Sequence, residues 1–101
     1  MRLTREQCRV IVTATAELAG ADARVRLFGS RLRDDLSGGD IDLLVECPHP
    51  VARPVHLAAQ ITARLQRSLG DRKIDVLVLD PETPLEPVHR VAQAEGVLLQ
   101  P

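Results

Sequence analysis

Apolar positions along the chain follow two different periods, and the switches between them mark out the elements. Cys8, Ile11, Val12, Thr15, Leu18 and Ala19 recur at steps of three and four, the stripe of an amphipathic helix. Thr4 precedes that stripe with Gln7 three residues on, a capping-box pattern, and Gly20 supplies a stop. The spacing predicts a helix over about residues 4 to 19. "ARVRLFGS" then alternates and ends on Gly29-Ser30, which predicts a strand at about 24 to 28 closed by a tight turn. Residues 30 to 39 carry no period, and a short helical turn at Ser30 to Arg33 followed by a loop through Ser37-Gly38-Gly39 is expected there. "DIDLLVE" reads as a second strand and "CPHPVARP" as a proline-rich connection. Leu57, Ile61, Leu65 and Leu69 at steps of four predict a long second helix ended by Gly70. "KIDVLVLD" is a third strand, "PETPLEP" is barred from a sheet centre by its prolines, and "VHRVAQAEGVLLQ" reads as a short helix with an apolar tail.

The resulting order, helix-strand-turn-strand-helix-strand-helix, predicts an α/β (α+β) domain with a small mixed sheet and helices packed on one face. At 101 residues a single domain spanning 1–101 is expected. Composition narrows the function classes. Hydrophobic residues make up 45% and charged residues 27%, which suits a packed globule rather than a disordered chain. Phe28 is the sole aromatic residue, so the chain has no platform of rings for stacking single-stranded bases. Net charge is −1, so no basic field draws in nucleic acid, and direct nucleic-acid binding is not expected. No run of 18 apolar residues is present and "MRLTREQCRV" lacks an apolar leader core, so no membrane span and a cytoplasmic location are expected.

Cys8 and Cys47 have no metal-type spacing and are expected to be free thiols, with Cys47 a packed strand end rather than a nucleophile. His49, His56 and His89 are too dispersed to form a metal set, and as neighbours of prolines they are expected at the surface.

The carboxylates inside the strand-like runs carry the candidate chemistry. Residues two apart in a strand share a face, so Asp40 and Asp42 stand side by side while Ile41 and Leu43 point the other way. Each raises the other's pKa unless a cation lies between them, and Mg²⁺, with its preference for oxygen ligands, is the natural cation. Alone, such a pair is most often a solvated surface feature. Two further features bear on it. Gly29-Ser30 directly follows a strand, where glycine permits close approach of a phosphate and serine offers a hydroxyl and an N–H. Asp75 sits in a third strand-like run between Ile74 and Val76; it would join the other two if its strand neighboured theirs, and would otherwise pair with Arg72 or another arginine.

"FGSRLRDDLSGGDIDLLVE", together with "KIDVLVLD" and the tail "AEGVLLQ", resembles the polymerase-β-like nucleotidyltransferases, and among them the minimal nucleotidyltransferases of bacteria and archaea. The resemblance covers roughly residues 24 to 99. It implies that Asp40, Asp42 and Asp75 are catalytic and hold two Mg²⁺ ions. It implies further that Asp75 helps deprotonate the attacking hydroxyl and that Gly29 and Ser30 hold the terminal phosphates of a nucleoside triphosphate. Arg31 or Arg33 would neutralise the triphosphate, or would instead be solvated or paired with Asp34 and Asp35. Larger relatives carry a helical region that grips the acceptor, for which 101 residues leave no room, so the acceptor is expected to be small or brought by another protein. Minimal nucleotidyltransferases commonly act as antitoxins of HEPN-type toxins, in some cases by moving AMP from ATP onto the toxin. The sequence departs from the pattern at Gly39 and Asp34, in the phosphate loop. That leaves open an idle binding module that neutralises a toxin by contact, and a small-molecule, antibiotic-type nucleotidyltransferase.

Overall fold

The computed structural model describes residues 3–29, 40–70 and 72–100. Helix α1 spans Arg5–Ala19 and begins as its sequence dictates. The Gln7 N–H donates to the Thr4 hydroxyl at 3.0 Å, and the Thr4 N–H donates to the Gln7 side chain at 2.9 Å. Gly20 ends it with φ 105°, a backbone conformation that side chains resist. Strand β1 (Arg24–Phe28), strand β2 (Ile41–Glu46), helix α2 (Pro54–Leu69) and strand β3 (Ile74–Leu79) fall within a residue or so of their predicted places. The helical turn and loop expected at residues 30 to 39 lie outside the described residues.

The sheet order is β3-β2-β1, continued by a fourth strand. β1 runs antiparallel to β2, and β2 runs parallel to β3, with α2 as the crossover between the parallel pair. The parallel ladder extends past both strand ends: the Ile41 N–H donates to the Lys73 carbonyl at 3.0 Å and the Cys47 N–H to the Leu79 carbonyl at 2.8 Å. Alternation then decides which residues go where. Val25 and Leu27 of β1, Ile41, Leu43 and Val45 of β2, and Ile74 and Val78 of β3 face α1 and α2, meeting Ile11, Leu57, Ile61 and Leu65 in the main core. Fully burying a leucine or isoleucine side chain contributes ~1.5–3 kcal/mol, so this one face supplies most of the folding drive. The predicted stripe on α2 is therefore core.

The expected architecture is corrected at two places. The chain from Pro87 to Glu95 forms a short helix, α3, that does not join α1 and α2 on their face. Its buried Ala92 packs with Leu44, Leu79, Phe28 and Leu77, the residues of alternate parity, so a helix stands on each side of the sheet. The apolar tail is also more than a tail. Val97–Leu98 forms strand β4, antiparallel to β1 at the sheet edge, and the Leu99 N–H donates to the Val25 carbonyl at 2.9 Å. Two residues of strand give too little periodicity to be read from sequence.

Candidate active site

Parallel pairing of β2 with β3 sets Ile41 against Ile74 and, one step on, Asp42 against Asp75. Both carboxylates therefore rise from neighbouring strands on the face opposite α1 and α2, the face that α3 partly covers. Asp42 is half-buried and Asp75 is exposed. The carboxyl of Asp42 is held above the ordinary carboxylate range, chiefly by burial, then by the nearby charges of Asp75 and Asp40 and by a hydrogen bond with Asp75. The ammonium of Lys73 pulls it partly back. Asp40 sits one residue ahead of β2, exposed, and close enough to add its charge to the field at Asp42.

Asp75 does have a cationic neighbour, and it is not Arg72. Lys73 Nζ lies 3.9 Å from Asp75 Oδ2, with both side chains more than half exposed. This pair is loose and wet, so it offsets little of the repulsion among the acids.

Gly29 closes the other side of the site. Phe28, the last residue of β1, is the register partner of Asp42, so the chain turns beside that carboxylate as it leaves the strand. Gly29 takes φ 79°, and a Cβ atom placed there would run into Asp42 Oδ2. The glycine thus gives the Asp42 carboxylate room against the backbone. Ser30, Arg31 and Arg33, the other residues expected to meet a nucleotide, lie outside the described residues.

Among the described residues no group of three or more His, Cys, Asp or Glu side chains is arranged to hold a metal ion by itself. The close set is the pair Asp42 and Asp75, with Asp40 alongside. That donor set still fits Mg²⁺, which is usually bound through one or two carboxylates, with waters and substrate phosphates completing its shell.

Other polar residues that sequence reasoning passed over turn out to be structural. Asp80, just after β3, is buried, and its carboxylate accepts from the Val51 N–H at 2.6 Å, the Glu82 N–H at 3.1 Å and the Thr83 hydroxyl at 2.5 Å. Those bonds hold its carboxyl below the usual range and tie the connection after β2 to the turn after β3. The signal was an aspartate before proline with a threonine three residues on, a turn motif. His89 is buried rather than at the surface, and its Nδ1 accepts from the Glu86 N–H at 3.0 Å at the start of α3. Glu46 bridges three elements, accepting from Arg26 Nε at 2.6 Å and Gln93 Nε2 at 3.0 Å. Cys8 and Cys47 are free and buried, and burial pushes the Cys47 thiol up, away from the reactive thiolate. An open cleft of about 570 Å³ lies by Arg24, Glu46, Pro48 and His49, at the end of the sheet away from the acids.

No helix among the described residues is long and apolar enough to cross a membrane. No curated protein matches the chain closely enough to serve as a named relative. The family description that does match, that of the nucleotidyltransferase domain, covers residues 8–97, from the first turn of α1 to the first residue of β4, and so takes in the acid pair and Gly29 together. The chain therefore belongs to the nucleotidyltransferase domain family, and its general chemistry is nucleotidyl transfer.

Proposed function

We propose that this protein is a Mg²⁺-dependent nucleotidyltransferase that moves AMP from ATP onto a hydroxyl of a partner protein, and that the partner is a HEPN-type toxin which it silences in the cytoplasm. The observation that supports metal-dependent transfer is the lateral pairing of Asp42 with Asp75 across parallel strands, with Asp40 beside them. The resemblance of "FGSR", "DIDLLV" and "KIDVLVLD" to the minimal nucleotidyltransferases supports the protein acceptor.

In this reading Asp40, Asp42 and Asp75 would hold two divalent ions, while Gly29 and Ser30 take the terminal phosphates and Arg31 or Arg33 offsets their charge. Bound there, the cations would neutralise the entering and leaving oxygens of an in-line displacement. Asp75, more exposed than its register partner Asp42, accepts the proton of the acceptor hydroxyl. The hydroxyl oxygen forms its bond to the α-phosphorus, the bond from that phosphorus to the bridging oxygen breaks, and pyrophosphate leaves with the electron pair. Little of this needs covalent help from the protein; placement and charge do the rest.

Incubation with ATP labelled at the α-phosphate, Mg²⁺ and the product of an adjacent gene tests the reading. Label should appear on the partner with the wild-type protein and be absent with Asp42→Ala. Absence of transfer with every nucleotide and divalent cation would overturn it. An Asp40→Ala/Asp42→Ala double variant that still silences the partner would replace catalysis with neutralisation by contact.

A further inference from the structure

Lys73 is the only lysine in a chain whose other twelve basic residues are arginine, and it stands at the acid pair. Its backbone is fixed, since its carbonyl accepts the Ile41 N–H at 3.0 Å, one residue from Asp42. Its side chain reaches into solvent: the ammonium is 3.9 Å from Asp75 Oδ2 and the side chain is 66% exposed. An anchored root with a solvated charged tip, on the face where both carboxylates emerge, is poorly explained as a stabilising ion pair. An exposed pair at that distance contributes almost nothing to a fold.

The residue type sharpens the point. A guanidinium beside Asp75 would grip the carboxylate through two parallel N–H donors and hold it. An ammonium on a flexible four-carbon stem is a compact point charge that can leave one anion for another. A nucleoside triphosphate brought to Asp42 and Asp75 by a divalent cation carries more negative charge than that cation cancels. The excess would lie within reach of Nζ.

We infer that Lys73 is a substrate-binding residue that releases Asp75 and contacts the polyphosphate of the incoming nucleoside triphosphate. This rests on the nucleotidyl-transfer reading of the acid pair and adds to it a residue to which the resemblance assigned no role.

Calorimetric titration of the full chain with Mg²⁺ and a nonhydrolysable α,β-methylene ATP, and separately with AMP, tests it, alongside Mn²⁺ binding without nucleotide. Lys73→Met should weaken the triphosphate by about ten- to a hundredfold, as loss of one charge-assisted hydrogen bond predicts. AMP binding and the melting temperature should stay close to wild type, Mn²⁺ binding should be no weaker, since the lost ammonium is a charge of the same sign beside its ligands, and Lys73→Arg should recover only part of the triphosphate loss. If Lys73→Met binds the triphosphate as wild type does, or loses AMP equally, Lys73 does not contact the polyphosphate. If it loses Mn²⁺ instead, Lys73 acts on the carboxylates. If the wild-type protein itself binds neither metal nor nucleotide, the nucleotidyl-transfer reading fails first and the inference with it.

Discussion

Asp42 of β2 and Asp75 of β3 are register partners in a parallel ladder, so two carboxylates of like charge are held side by side by the hydrogen bonding of the sheet itself. Neither backbone position can shift without breaking the ladder, although the exposed Asp75 side chain can turn toward solvent. The arrangement works against folding, and that gives it a measurable signature.

Because the folded-state pKa of Asp42 is raised, the folded protein binds more protons than the unfolded chain between the unfolded value, about 3.9, and the raised one. Stability contributed by this group therefore falls as pH rises through that window and stays low above it. Asp42→Asn removes the effect. In the absence of divalent cations it should melt higher than wild type at neutral pH, with the gap closing below about pH 4. Mg²⁺ should raise the wild-type melting temperature and leave Asp42→Asn unmoved, while nucleotidyl transfer by the variant falls by about a hundredfold or more. Melting curves from pH 3.5 to 8, with and without Mg²⁺, check all three.

Gly29→Ala should be costly for two separable reasons. A positive φ of 79° disfavours any side chain by about 1–2 kcal/mol. The new Cβ would also collide with Asp42 Oδ2. Removing Asp42 relieves the second cost only, so a double-mutant cycle of Gly29→Ala with Asp42→Ala should show a coupling of about 0.5–3 kcal/mol. Urea unfolding of the four proteins reads it, and strict additivity would mean that Gly29 does not shape the position of Asp42.

Asp80 has the opposite sign from Asp42. Its lowered pKa means its contribution is fully present above the unfolded carboxylate pKa and is lost as pH falls through the folded value. Asp80→Asn should lower the melting temperature at pH 7 and converge on wild type in strong acid. Transfer activity measured well below the melting temperature should change far less than in Asp42→Asn, since Asp80 ties loops at the far end of β3.

Cys47 is 8% exposed and its thiol is pushed up by burial and by the Asp80 charge. At pH 7 the native protein should react slowly with a thiol reagent such as dithionitrobenzoate, and both cysteines should react at once after unfolding. Prompt modification of Cys47 in the native state, assigned by peptide mapping, would contradict the packing described for this strand end.

What the sequence by itself determined was the local grammar. Caps, glycine stops and the contrast between periods of 3.6 and 2 located α1, α2 and the three main strands, because those signals depend on residues within a turn or two of one another. The two-residue period also put Asp42 on the face of β2 opposite Ile41 and Leu43 without reference to any neighbour, while Asp40, expected beside it, lies one residue ahead of the strand. Tertiary structure decided everything that joins distant segments. That β3 lies parallel beside β2, in the register that brings Asp75 to Asp42 and not to Val45, is a choice among pairings of equally apolar strands, and only the packing of α2 across them selects one. The same is true of α3, whose short apolar stripe could serve either face until α1 and α2 had filled the first. It is true of β4, two residues long and defined by its partner β1, and of His89, buried only because α3 docks. Local periodicity records what each segment prefers; which segments meet depends on the one arrangement that covers every apolar face at once.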